Sequence, residues 1–194
     1  MRIGIAGTHG AGKTMLAKQL SRQLGLPLIE EQARLVAVKL GVRHADDLLG
    51  DGALAERFQK AVLLQQLAAE GSRSSFVSDR TLYDCLVYWR YYKDLFGFDG
   101  TDRLGLDYEN RCLGGGYDLV IYVPLAEDAR LADDGFRSLD MSFARAVDRM
   151  LLDIFKEVAV PFAVVNGGPR ERLAAALRAV ERLGAARDCA AVGR

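Results

Sequence analysis

The chain has 194 residues, half of them hydrophobic and 27% charged, a composition that excludes a disordered or fibrous protein and fits one globular domain. Lys plus Arg and Asp plus Glu both number 26, so the formal net charge is zero and the basic excess of a dedicated nucleic-acid binder is missing. Three scattered cysteines (Cys85, Cys112, Cys189) form no disulfide or metal-ligand pattern, and neither a signal segment nor a spanning apolar run is visible, so the expected setting is the cytoplasm, away from membranes.

Residues 2–6 (RIGIA) form an apolar run ending at Gly7, the pattern of a buried strand. Leu16, Leu20 and Leu24 then recur at helical spacing until Gly25 and Pro27 stop them. Residues 26–30 (LPLIE) read as a second strand, and helices follow over about 33–40 and 53–70. Residues 75–79 (SFVSD) give a third strand, followed by an aromatic helix over 82–96 and a short helix near 103–113 between Gly-rich loops. Residues 118–123 (DLVIYV) are a fourth strand closed by Pro124. The polar stretch at about 125–140 suits a lid. A helix over 139–158, a fifth strand at 161–165 (PFAVV) and an amphipathic helix over 169–183 complete a domain expected to span 1–184, with 185–194 expected to be a loose tail. Strand and helix alternate, and the strands are continuous apolar runs. That pattern specifies an α/β fold, a parallel sheet with helices on both faces. In such sheets ligands lie at the carboxyl ends of the strands, here just after residues 6, 30, 79, 123 and 165.

The first of those ends carries Gly7-Thr8-His9-Gly10-Ala11-Gly12-Lys13-Thr14, which satisfies G-x-x-x-x-G-K-[ST]. Gly7 and Gly12 allow backbone angles that turn the loop amides toward phosphates, at the N-terminus of the helix that opens with Lys13. Gly7, Gly10, Ala11, Gly12, Lys13, Thr14 and Met15 are the expected nucleotide-binding residues, with Lys13 on the outer phosphates and Thr14 on a magnesium ion. The expected cofactors are therefore ATP and Mg2+. His9 reads as a loop-side residue, and one other distant histidine makes no metal cluster.

Phosphoryl transfer also needs an acceptor held in line and its proton taken. Glu30 and Glu31 after the second strand can supply a general base. Asp79 after the third can hold the magnesium shell through water or act as base itself, and Arg80 can orient the acceptor or its base. Arg137 in the lid segment can close onto the phosphates. Of the aromatic residues on the 82–96 helix, Tyr83 and Tyr88 stand near enough to Asp79-Arg80 to be acceptor contacts. Gln59, Gln65 and Gln66 are hydrogen-bonding candidates on the helix over 53–70.

These residues together resemble the NadR-like P-loop proteins, a group that includes ribosylnicotinamide kinase domains and related ATPases. The resemblance runs through GTHGAGKT, EQAR from Glu31 to Arg34, SDRTLYDCLVY with Asp79, Arg80, Asp84 and Tyr88, then YDLVIYVP, and DGFRSLD with Arg137 and Asp140. Asp79-Arg80-Thr81 is also similar to the matching motif of deoxynucleoside kinases. The resemblance implies a three-layer P-loop sandwich with strand order 2-3-1-4-5, a kinase-like lid, and Glu31 as the base. It implies a small-molecule acceptor, nucleoside- or nucleotide-like, with ribosylnicotinamide as one candidate. A P-loop ATPase or GTPase switch and a non-catalytic regulator are the rival readings. The Arg-bearing lid favours the kinase, and no N-K-x-D segment selects guanine.

Overall fold

In a computed structural model the described residues are 1–98, 102–126, 135–136, 138–158 and 160–192, the last six by backbone alone. The strands are β1 Arg2–Ala6, β2 Leu28–Ile29, β3 Phe76–Asp79, β4 Leu119–Tyr122 and β5 Phe162–Val164. The helices are α1 Lys13–Leu24, α2 Gln32–Leu40, α3 Gly52–Gly71, α4 Leu82–Phe96, α5 Arg103–Leu113, α6 Met141–Glu157 and α7 Pro169–Val192. A 3-10 turn, Ala45–Leu48, precedes α3. All strand pairs are parallel, and the sheet order is β2-β3-β1-β4-β5, as the resemblance implied. No described helix is long and apolar enough to cross a membrane.

Alternate residues of the buried strands supply two cores. Ile3, Ile5, Val77, Leu119 and Ile121 pack under Leu16, Leu20 and Val180, the layer of α1 and α7. Ala6, Phe76, Val120 and Tyr122 face Leu63, Leu86, Trp89, Val147 and Leu151 in the layer of α3, α4 and α6. The architecture is thus the three-layer α/β sandwich.

Element ends depart from the sequence pattern where a local rule intervenes. β2 shrinks to two residues because Pro27 has no N–H to donate, although its carbonyl still accepts from Val77 N at 2.9 Å. α7 runs on to Val192, beyond the expected end near Leu183 and through the tail expected to be loose, because Ala185, Ala186, Ala190 and Ala191 are strong helix formers. Of the lid segment, residues 127–134 and Arg137 lie outside the described residues.

Candidate active site

The phosphate loop leaves β1 at Gly7, where φ is +150° and a Cβ would stand 2.4 Å from the Val123 carbonyl oxygen. Only glycine lets β1 and the end of β4 approach this closely. Gly12 (φ +91°) caps α1 in the left-handed region, turning the chain into the helix that Lys13 begins. The Lys13 ammonium is buried and donates to the Thr8 carbonyl at 2.7 Å. Burial, and then the Arg80 guanidinium, push its pKa down from 10.5 to about 8, against the opposing pull of Asp84, Asp79 and Glu31. A buried ammonium at the N-terminus of α1 supplies the positive charge that an anion needs there. From the far side, Arg172 of α7 donates to the Ala11 carbonyl at 2.6 Å and fixes the loop's outer limb.

Two clefts open beside this loop. One is lined by Thr14, Lys18, Leu28, Glu30, Glu31, Arg34, Leu35 and Asp79. Asp79 is buried, and its Oδ1 has no hydrogen-bond partner among the described residues. Thr14 and Asp79 thus offer hard oxygen donors on one wall, the ligand type of Mg2+. A buried carboxylate oxygen left open in that wall fits an ion held through water.

The other cleft runs from His9, Glu31, Arg80, Asp84 and Tyr88 to an apolar side built by Leu48, Phe58, Val62, Tyr92 and Phe143, with Gln59 among them. Arg80 organises its polar end. Its Nε donates to Glu31 Oε1 at 2.6 Å, its Nη1 lies 3.6 Å from Asp84 Oδ1, and its guanidinium sits 5.1 Å from the centre of the Tyr88 ring. Burial, the largest single effect, pulls the Arg80 pKa down, but Glu31, Tyr88 and Asp84 together outweigh it, and the group is held firmly charged. Arg80 takes φ +93°, the positive-φ exception among described non-glycine residues, and its N–H donates to the Ile5 carbonyl at 3.1 Å. Strained backbone of this kind persists where surrounding structure over-determines it, commonly at functional sites. Arg34 also donates to Glu31, at 3.1 Å from Oε2.

Asp84 ties the two halves together. One oxygen accepts from Thr81 N at 2.9 Å and Thr81 Oγ1 at 2.7 Å, closing a capping box at the start of α4. The other accepts from Gly7 N at 3.3 Å, the first amide of the phosphate loop. Burial raises the Asp84 pKa, while Arg80 and Lys13 pull it back.

Of the residues expected from sequence, Lys13, Thr14, Glu31, Asp79 and Arg80 converge around the loop, whereas Arg137 is outside the described residues. Two expectations are corrected. Tyr83 turns away into the core, with its ring 5.6 Å from that of Tyr117 and its hydroxyl on the Gly115 carbonyl at 3.4 Å, while Tyr88 does line the cleft. Of the three glutamines only Gln59 lines it. Gln66 donates to Glu70 and Ser78 in the core, and Gln65 accepts from Lys39 at the surface. Asp84 and His9 were not expected as site residues. For Asp84 the signal was present: it opens the face on which Tyr88 and Tyr92 follow at intervals of four, the helical spacing of a shared face.

No curated protein sequence matches the chain significantly. Among solved structures, the deoxyadenosine kinase of M. mycoides with the products dCMP and a flexible dCDP superposes with a TM-score of 0.76 at 20% identity, over 94% of this chain and 100% of that one. A NadR protein in complex with NAD and AMP-PNP gives 0.70 at 18% identity, over 93% of this chain and 48% of that one. The YorR protein of Bacillus subtilis in complex with phosphorylated GDP gives 0.56 at 15% identity, over 93% and 96%. These likenesses show that the chain shares the α/β fold of those proteins. A family model described as an AAA domain matches residues 2–172, most of the length, and the chain belongs to that family.

Proposed function

We propose that this protein is a kinase that transfers the γ-phosphoryl group of ATP, with Mg2+, to a hydroxyl of a nucleoside-like acceptor. One observation carries the reading. Glu31 lines both the cleft that contains Thr14 and Asp79 and the apolar cleft beyond it, so a carboxylate stands where donor and acceptor would meet. The neighbouring structures, whose descriptions name deoxyadenosine kinase with nucleotides and NadR with AMP-PNP, support it at the level of the fold.

In this mechanism Glu31, held by Arg80 and Arg34, accepts the proton of the acceptor hydroxyl as its oxygen bonds to the γ-phosphorus. The bond from that phosphorus to the bridging oxygen of ADP breaks in line. Lys13 and the amides of the loop hold the outer phosphates. Mg2+, when bound by Thr14 and, through water, by Asp79, supplies charge neutralisation at the phosphates. Arg137 is assigned the closing arginine from sequence.

The charge of the acceptor cleft favours a nucleoside over a nucleotide. Among the described residues the one Lys or Arg lining it is Arg80, which pairs with Glu31 and stands beside Asp84. A monophosphate, bearing about −1.5 to −2 charge at neutral pH, would meet Glu31 and Asp84 with Arg80 as the one described Lys or Arg to offset three negative groups. The test is ATP consumption across a panel of nucleosides, nucleotides and sugars, with the product identified by mass. A phosphorylated nucleoside is expected. Turnover indifferent to every small acceptor and raised by a protein partner would overturn the kinase in favour of an ATPase switch.

A further inference from the structure

The phosphate loop holds its ligand with backbone amides, so the side chain at its third position has no duty to the triphosphate. In this chain that side chain is a histidine, and it is 95% buried by residues that belong to the acceptor cleft. The His9 ring lies 5.3 Å from that of Phe143 on α6. Its Nδ1 is 3.2 Å from the Tyr88 hydroxyl and 3.4 Å from Thr8 Oγ1. Tyr88 in turn lies beneath the Arg80 guanidinium, and Arg80 grips Glu31. A strip of polar groups therefore runs along the cleft, His9 to Tyr88 to Arg80 to Glu31. Among the described residues His9 is the one member of residues 7–14 that lines this cleft.

Resting on the kinase reading, we propose that His9 is a specificity-determining residue that, with the Tyr88 hydroxyl, binds a second sugar hydroxyl of the acceptor next to the one phosphorylated. In-line transfer requires the reacting hydroxyl to face the loop, so the sugar lies at the loop end of the cleft and its base toward Phe58 and Gln59. There an imidazole nitrogen and a phenol hydroxyl offer a donor and an acceptor, the pair that a sugar hydroxyl can engage. A site built to hydrogen-bond a substrate hydroxyl rejects the analogue lacking it, because its own buried polar groups are left unpaired. An apolar residue at position 9 would erase that discrimination.

The experiment compares the parent with His9→Leu, His9→Asn and Tyr88→Phe on the phosphorylated nucleoside and on its analogues lacking one or both remaining sugar hydroxyls. The parent is expected to lose about tenfold in kcat/KM when the recognised hydroxyl is removed, the range of one hydrogen bond. His9→Leu is expected to raise the acceptor KM about tenfold on the full nucleoside, to flatten the preference among analogues and to leave the ATP KM unchanged. His9→Asn, which keeps a donor and an acceptor, should restore part of the preference, and Tyr88→Phe should flatten it without adding to His9→Leu. Active His9→Leu protein with the parental order of preference would overturn the inference and leave the kinase reading intact. So would a rise confined to the ATP KM, which would mark His9 as part of the phosphate grip. A parent that phosphorylates no nucleoside overturns the kinase reading, and the inference with it.

Discussion

Replacing Lys13 by methionine removes the ammonium while keeping most of the stem. In the ligand-free protein that ammonium is 5% exposed, and its pKa lies at about 8 in place of 10.5, with burial the first cause and Arg80 the second. A lysine whose folded pKa is depressed costs stability as long as both states are protonated, so below about pH 8 the cost is fully present. At about 1.4 kcal/mol per pH unit, the span between the two values amounts to about 3 kcal/mol. Between pH 8 and 10.5 the folded state deprotonates first, the unfolded state holds more protons, and the parent gains stability with rising pH. Against this stands the bond to the Thr8 carbonyl, whose loss costs about 1–2 kcal/mol when the acceptor is left buried. Ligand-free Lys13→Met is therefore expected to be about 1–2 kcal/mol more stable than the parent at pH 7, and about as much less stable near pH 10.5. Urea titrations of both proteins at the two pH values measure the difference. MgATP should invert the ranking at pH 7, because a ligand stabilises only the protein that binds it. The triphosphate also favours the charged ammonium, so the parent should take up a proton on binding at pH 8, visible by calorimetry in buffers of different ionisation heat. A variant less stable than the parent by the same amount at both pH values would refute the account of Lys13 as a buried cation held ready for an anion.

Glu31→Gln keeps the shape of the base but cannot take a proton, so acceptor phosphorylation should fall by about 10²–10⁴ while nucleotide affinity holds. Full phosphorylation by this variant would move the base to Asp79. Asp79→Asn is expected to raise the Mg2+ concentration needed for half-maximal turnover, since it removes the charge of a buried carboxylate that lines the same cleft as Thr14 and has an oxygen without a hydrogen-bond partner among the described residues. A magnesium titration with the parental midpoint would remove Asp79 from the metal shell.

The phosphate loop and the sheet were legible in the sequence for the same reason: both are written in local terms. Gly7 and Gly12 are demanded by backbone angles and by the approach of Val123, and residues 3–6, 76–77 and 119–122 are apolar because the strands are covered on both faces. A reader of the chain needs no partner residue to recognise either. The acceptor cleft is different, because α4 is apolar or aromatic almost all round and offers no clean stripe from which to read its direction. Tyr83 and Tyr88 were equally plausible by distance along the chain, yet at ~100° per residue they point about 140° apart. Only the packing of α4 between α3 and α6 decides which of them meets the cleft.

His9 shows the same limit from the other side. Its neighbours in sequence are loop residues whose task is carried by backbone, so the motif gives the side chain no role. Its neighbours in space, Tyr88 and Phe143, come from two helices far along the chain. The parallel sheet brings them together by placing β1 at its centre, so that whatever follows β1 stands between the elements that follow β3 and β4. A central strand followed by a short loop thus exposes that loop to both substrates at once. In the proposed kinase the amides of the loop, with Lys13 and Thr14, serve one of them, the triphosphate, and the side chain of His9 is free to be shaped by the other. On this ground residue 9 should vary with the acceptor while Gly7, Gly12 and Lys13 answer to ATP, and exchanging residue 9 alone should change acceptor preference without touching the nucleotide.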